Sequence, residues 1–466
     1  MKYLCGLYTF IFGLAVLLFF GLAYPHHLHY QEQYQLFLFD SNYMWEIVKL
    51  PGGIADLLGR FCTQFFLFAW VGGFIIAILL SAVQLLMFRL VSAQGGRNDV
   101  TSEISHAFLT PCALPSFLLW LFLLDEHALM GGIWAVLLTL FAIWLITLLP
   151  KGWTQRIAII VAIPILYWMA LGGSHYYRYP TVTPYLLYAA WLSAIILPFI
   201  VRLLHRFQRS SHTSYLLPLI SFALVAVVMG TLVWKNANLK AEKVMQYDFM
   251  ARHQQWNRIL ETINKEKPNN QIGVTVQNLA LGMHGLLADH LFDYHQNGIA
   301  GLLPDVQSDA TSPLPTAEAF YQLGMVNVAQ RTVFEAQEAI LDFQKSGRCY
   351  KRLAQTNLIN GQYEVARKYL SALQKTLFYR DWANETLPLL GDEQAIARHP
   401  EYGRLRQFAY KEEFYFSDHV TPEMLESLYY RNTDNRLAYQ YLMAYYLLTG
   451  DREGYAKLLL NTSTKQ

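Results

Sequence analysis

The sequence predicts an all-α protein in two parts, a polytopic membrane helix bundle of about seven spans followed by a water-soluble helical domain. Two observations carry this prediction. Residues 1–234 contain repeated apolar stretches of membrane length, whereas residues 235–466 show the period of amphipathic helices. The change falls at Val233-Trp234-Lys235, where the last apolar run ends. The predicted domains are therefore 1–234 and 235–466.

Composition excludes several classes of protein. Only 15% of the residues are charged and the net charge is +2, which does not indicate a nucleic-acid partner. The four cysteines lie far apart, so neither a disulfide framework nor a structural zinc site is predicted. The first apolar stretch is longer than a signal-peptide core, and we interpret it as a retained span.

A transmembrane helix needs about 20 mainly apolar residues. Such stretches recur through the first half of the chain, and the fifth is the shortest. The predicted spans are Tyr3–Tyr24, Gln64–Leu90, His106–Leu124, Ala128–Leu149, Arg156–Gly172, Thr183–Leu204 and Ser214–Trp234.

The connecting loops alternate in positive charge, which predicts the orientation. One set of loops is rich in basic residues and the opposite set is poor. The rich set carries Lys2, Arg89, Arg97, Lys151, Arg156, Arg202, Arg206 and Arg209, against Lys49, Arg60 and Arg178. The N-terminus is therefore predicted in the cytoplasm of a bacterial cell. An odd number of spans across the inner membrane places the C-terminal domain in the periplasm, and an even number would reverse it.

The C-terminal half shows a helix-turn-helix pattern that resembles a tetratricopeptide unit, with Gly361 at the turn followed by Tyr363 and Ala366. Degenerate versions surround Trp256, Gly285 and Gly450. Such units stack into an α-solenoid. We interpret these aromatic and small residues as inter-helix packing; the functional alternative is a concave surface for a peptide or a glycan. The spacing of His284, His290 and His295 is irregular and does not indicate a metal site.

The first outer loop, Pro25–Thr63, is long for a membrane bundle, and long loops are often functional. Its interleaved aromatic and polar residues suit contact with membrane lipids at the headgroup level. We predict short helices at Asn42–Leu50 and Ile54–Phe61, separated by a Pro51-Gly52-Gly53 turn. His26, His27 and His29 are interpreted as headgroup contacts rather than metal ligands.

Glu32 and Asp40 are the carboxylates that we single out in this loop, because an acidic residue beside a bilayer is costly unless it is solvated or engaged. Two short outer loops, Asp125–His127 and Ser174–Arg178, could approach Glu32 from the far side if the bundle closes. His175 and Arg178 would then share an outer cavity with Glu32. The alternative is a solvated rim at the membrane surface.

Two resemblances can be named. The chain resembles an uncharacterised family of multi-span membrane proteins from Bacteroidetes, which implies no function. That resemblance is carried by Gln31–Phe39, Pro51–Gly53, Asn278–Leu281, Leu291–Phe292, Gln296–Gly298, Arg352–Gln355, Asn360–Tyr363 and Tyr379–Ala383.

The layout also resembles the GT-C superfamily of membrane glycosyltransferases, which has a long first outer loop with membrane-parallel helices and an acidic residue after the first span. The resemblance implies that Glu32, with Asp40 nearby, serves as a general base or holds a divalent metal at the donor phosphate. Arg60, in Gly59-Arg60-Phe61, and Arg178, with His175, would lie near that phosphate. The paired acids common in that superfamily are replaced here by Glu32-Gln33.

The leading hypothesis is therefore a glycosyltransferase-like protein that takes a sugar from a lipid-linked carrier at the outer leaflet. The alternative is a membrane-anchored tetratricopeptide scaffold for envelope assembly, with a protein partner on the solenoid and no catalysis. A transporter is a third hypothesis, which the nearly uncharged span interiors disfavour.

Overall fold

The chain folds into helices joined by turns in a computed structural model that describes residues 2–94, 109–150, 152–170, 176–179, 182–207, 216–305, 313–340, 344–409 and 422–463. Within these residues no β-strand forms, and the single β-type contact is an isolated antiparallel bridge between Ala128 and Tyr177. The all-α prediction is confirmed. The chain divides into two units, 1–242 and 243–466, each with its own core.

The helices of the first unit follow the apolar stretches and the outer loop. They are α1 (Lys2–Leu18, continued by a π-helical turn over Phe19–Ala23), α2 (Pro25–Glu32), α3 (Ser41–Val48), α4 (Gly53–Thr63), α5 (Ala69–Gln94), α6 (Leu109–Cys112), α7 (Leu114–Phe122), α8 (Gly131–Leu148), α9 (Trp153–Met169), α10 (Tyr185–Phe207), α11 (Leu216–Asn236) and α12 (Leu239–Arg252), whose last residues belong to the second unit.

Among the described helices, three are long and apolar enough to cross a bilayer, over Cys5–Ala23, Ala69–Ser92 and Gly131–Leu148. A fourth is present if α11 and α12 together form one bent span. Helix α9 and the segment Tyr185–Ile200 of α10 are shorter apolar helices of 10–17 residues, and the predicted third span is divided between α6 and α7. These helices support membrane association, and the count of seven spans stays a prediction.

The first unit has a dry core and an apolar exterior. Val16, Phe20 and Leu80 are fully buried where α1 packs against α5. By contrast α9 has no buried side chain, and Ile160 on it is 68% exposed. An exposed apolar face of this extent is expected where lipid replaces water as the solvent.

The helices of the second unit are shorter and amphipathic. They are α13 (Trp256–Glu266), α14 (Gln271–Met283), α15 (Leu287–His290), α16 (Pro313–Leu323), α17 (Val326–Glu338), α18 (Gly347–Ile359), α19 (Tyr363–Leu373), α20 (Arg380–Thr386), α21 (Glu393–Arg398), α22 (Tyr402–Phe408), α23 (Pro422–Arg431), α24 (Arg436–Thr449) and α25 (Arg452–Ser463).

Helices α16 to α19 pack in chain order as two hairpins. Gly361 makes the predicted turn between α18 and α19 with a φ of 76°, a backbone conformation that glycine adopts without strain. Ala366 is fully buried, and Tyr363 and Trp256 pack partly buried against the core. The predicted packing role of these residues is confirmed.

Candidate functional site

The first outer loop is folded into α2, α3 and α4, so the two predicted loop helices are confirmed. Asp40 begins α3: its Oδ1 accepts hydrogen bonds from the backbone N–H groups of Asn42 and Tyr43, each at 3.1 Å. This is an N-cap, which satisfies donors that the helix itself leaves unpaired. The carboxylate of Asp40 is therefore engaged in holding α3.

The turn between α3 and α4 depends on its glycines. Gly52 has a φ of 75°, and a Cβ on Gly53 would lie 2.1 Å from the carbonyl oxygen of Ile47. The same turn is tied to the bundle, because Gly52 N–H donates to the carbonyl of Trp168 at 2.7 Å and Tyr176 Oη–H donates to the carbonyl of Gly52 at 3.1 Å. The position of α4 is thereby set by the bundle.

Glu32 is the last residue of α2 and is only 5% exposed. It belongs to a run in which almost every polar side chain is buried: His27, His29, Gln31, Gln33 and Gln35. The Gln31 side chain donates to the carbonyls of Asp125 and Ala128, at 3.4 and 3.2 Å. The second outer loop therefore packs on the helix that carries Glu32.

Arg178 lies on the same cluster. Its guanidinium carbon is 3.2 Å from the ring centroid of Tyr34 and 5.5 Å from that of Tyr30, the aromatic residues on either side of Glu32 in sequence. Its Nη2 donates to the carbonyl of Glu126 at 3.1 Å, and the residue is 7% exposed. Glu32 on α2 and Arg178, which stacks on residues of the same segment, are thus both buried near the Asp125–His127 loop, and we call this region the outer cluster.

The other site residues fall elsewhere. Arg60 forms an ion pair with Asp56 one turn earlier on α4, with Nη2 2.8 Å from Oδ2. Its charge is therefore neutralised locally. His175 lies outside the described residues. Within the described ranges, no three His, Cys, Asp or Glu side chains converge as metal ligands would.

Sequence reasoning missed Glu242 at this site. Its two carboxylate oxygens accept the backbone N–H groups of His26 and His27, each at 2.8 Å, and so cap the first turn of α2. The contact joins residues more than 200 positions apart. No local sequence pattern predicts such a pair. A lone glutamate just after an apolar stretch is only a weak signal of a contact of this kind.

His27 is fully buried, and its Nε2 lies 2.9 Å from the carbonyl of Leu123. A carbonyl only accepts, so Nε2 carries the proton and Nδ1 holds a lone pair. Burial lowers the pKa of His27 to about 4, although the bond to Leu123 opposes this shift. The imidazole is therefore neutral at physiological pH.

A second concave feature lies in the C-terminal unit. A groove of about 980 Å³ runs between α17 and α19, with α18 as its floor. Amide side chains form a connected strip along it: Asn360 Nδ2 donates to Asn327 Oδ1 at 2.8 Å and to Gln330 Oε1 at 2.9 Å. Phe334, 49% exposed, stands on one wall. A strip of amides beside an apolar wall can bind groups that both donate and accept hydrogen bonds.

Comparison with curated proteins and with solved structures found no significant match. A family described as "Family of unknown function (DUF6057)" matches residues 1–175 and 170–466. Since these two ranges together cover the whole chain, the protein belongs to the DUF6057 family.

Proposed function

We propose that this protein is a membrane glycosyltransferase that transfers a sugar from a lipid-linked donor at the outer leaflet of the bacterial inner membrane. The observation that carries the proposal is the burial of Glu32 together with Arg178 in the outer cluster. Ionisable groups buried at the edge of a membrane bundle are costly and mark functional sites by default. In this proposal the protein has about seven spans, a cytoplasmic N-terminus and a periplasmic C-terminal domain.

Glu32 would act as the general base that accepts the proton of the acceptor hydroxyl. Arg178 would offset the charge that develops on the leaving phosphate. Asp40 is a weaker candidate because it caps α3, and Arg60 is a weaker candidate because Asp56 already neutralises it.

The surface of the outer loop also supports a lipid-linked substrate. Phe39, Trp45 and Phe61 on and around α3 and α4 are between 37% and 62% exposed. Aromatic side chains of this kind settle at the boundary between headgroups and acyl chains. A loop held there can meet a lipid carrier without leaving the membrane surface.

The test is complementation of cells that lack the gene, at matched expression. The wild-type chain should clear an accumulated lipid-linked sugar, and Glu32→Gln should not, because an amide cannot accept the proton. Glu46→Gln is the matched control, since Glu46 lies on α3 with its side chain 66% exposed. Full clearance by Glu32→Gln would refute the proposal.

The second candidate function is a non-enzymatic, membrane-anchored tetratricopeptide-like scaffold for envelope assembly, and the groove in the C-terminal unit favours it. Here Glu32→Gln should complement fully, whereas Phe334→Ala combined with Asn360→Ala should fail because the groove loses an apolar wall and its central amide. Phe292→Ala is the control, because Phe292 is 67% exposed in the same unit and does not line the groove. Complementation by the groove variant would exclude this role.

A further inference from the structure

The second unit contains a cluster of charged side chains around α18, which receives contacts from α12, α16, α20 and α22. We call it the cation cluster. Its cationic members are Arg252, Arg348, Lys351, Arg352 and Arg404. It lies apart from the amide groove, because Arg348, Lys351 and Arg352 do not line that groove.

Two of these cations form ion pairs with acids. Arg348 makes a bidentate ion pair with Asp248, at 2.6 and 2.8 Å, and both side chains are nearly buried. Arg352 pairs with Glu318, whose other oxygen accepts the side-chain amide of Gln322 at 2.8 Å. Arg404 then donates to Gln322 at 2.9 Å, which extends the network without neutralising Arg404.

The remaining positive groups lack such partners. Among the described residues, neither Arg252 nor Lys351 forms an ion pair, and Lys351 Nζ instead sits 4.9 Å above the ring of Trp382. Burial lowers the pKa of Lys351, and the charges of Arg352 and Arg252 lower it further. In the same part of the chain, Nη1 of Arg252 and Nη1 of Arg352 are buried without a hydrogen-bond partner.

The charges of the cluster do not balance. Three carboxylates, Asp248, Glu318 and Glu401, act on the five cationic groups, so the positive groups outnumber the negative ones. A buried water could satisfy an unpaired N–H, but it could not compensate the charge. Buried unpaired donors in a native protein indicate an absent water or ion, and the excess charge here favours an anion.

We propose that the cation cluster binds a phosphate group, held by Arg252, Lys351 and Arg352. A phosphate monoester carries about −1.5 to −2 charges at pH 7, which offsets the excess of positive groups. Guanidinium groups recognise phosphate oxygens with paired N–H donors, and an ammonium adds a point charge. The same chemistry could come from free phosphate or from a phosphate ester on a larger molecule.

The test measures thermal unfolding of the full chain in detergent while inorganic phosphate is titrated against chloride at constant ionic strength. Phosphate should raise the Tm of the wild type in a saturable way. Lys351→Met should raise the Tm without phosphate, because it removes a half-buried ammonium group that has no ion-pair partner. It should also weaken the apparent phosphate affinity at least tenfold. Lys368→Met, at an exposed position on α19, should behave as the wild type in both respects.

A second variant, Arg252→Gln, should also lose the phosphate response and keeps the experiment decisive if Lys351→Met fails to fold. Methyl phosphate distinguishes the two sources. If methyl phosphate stabilises the protein as much as inorganic phosphate does, the site takes an esterified phosphate. If only inorganic phosphate stabilises it, the site takes the free anion. No stabilisation of the wild type beyond chloride would overturn the proposal. An undiminished phosphate response in both Lys351→Met and Arg252→Gln would also overturn it.

Discussion

The candidate site residues differ in the partners of their polar atoms. Arg60 and Asp40 each have a local partner that accounts for them, an ion pair in one case and a helix cap in the other. Arg178 instead stacks on Tyr34 and reaches the backbone of a second loop, without a carboxylate partner among the described residues. A guanidinium held in this way keeps its charge available for a ligand.

His27 makes the stability of the first unit dependent on pH. The unfolded chain binds a proton on this imidazole near pH 6.5, whereas the folded chain binds it only near pH 4. Stability is therefore complete above pH 6.5 and falls as the pH drops from 6.5 towards 4. The loss attributable to His27 is about 3 kcal/mol.

The expected result is a difference between the two proteins: as the pH falls from 6.5 to 4.5, the Tm of the wild type should shift downward relative to that of His27→Gln. Glu242, whose pKa is raised by burial to about 7, responds in the opposite direction in both proteins and therefore cancels in this comparison. Glutamine can still donate to the Leu123 carbonyl but does not titrate. Thermal unfolding in detergent at several pH values provides the measurement. Identical pH dependence in the two proteins would contradict the assignment.

The ion pair of Arg348 with Asp248 is the clearest stability determinant in the second unit. Asp248→Asn should reduce the free energy of unfolding by about 3–5 kcal/mol, because it leaves a buried guanidinium without its counter-charge. The control is Glu393→Gln, which breaks the pair of Glu393 with Arg406 at an exposed position and should cost much less, because solvent screens that pair. Denaturant unfolding monitored by fluorescence measures the free energy of unfolding of both variants. Equal losses in the two variants would show that burial of the ion pair is not the cause of the loss.

At the scale of helices, α3 offers a way to separate capping from catalysis. Asp40→Asn keeps the N-cap, since asparagine caps as well as aspartate, but it removes the carboxylate. Asp40→Ala removes both and should cost about 1 kcal/mol locally. We expect Asp40→Asn to retain full function. The amide hydrogens of α3 should exchange faster in Asp40→Ala but not in Asp40→Asn. Loss of function in Asp40→Asn with normal exchange would show that Asp40 takes part in chemistry.

Helix type and the short outer helices could be predicted because their causes are local. The Pro51-Gly52-Gly53 turn follows from glycine geometry, whereas the capping role of Asp40 was not part of the prediction. The capping of α2 by Glu242 could not be predicted, because nothing in either segment specifies a partner more than 200 residues away. The approach of Arg178 to the outer loop was predictable only as a consequence of bundle closure.

For the whole molecule, two different boundaries divide the chain. Hydropathy changes at Val233-Trp234-Lys235, whereas the two compact units meet between Glu242 and Lys243. The first boundary depends on the solvent that surrounds each segment, and the second depends on how the helices pack. A sequence pattern can therefore locate only the first. Glu242 belongs to the first unit because its carboxylate holds α2.

The orientation of the whole chain is testable because all four native cysteines are buried, which keeps background labelling low. Lys265→Cys places a thiol on exposed α13, and Thr154→Cys places one in a loop predicted to be cytoplasmic. With seven spans, a membrane-impermeant maleimide should label Lys265→Cys in spheroplasts and Thr154→Cys only after the inner membrane is permeabilised. If both are protected until permeabilisation, the span count is even and the C-terminal unit is cytoplasmic.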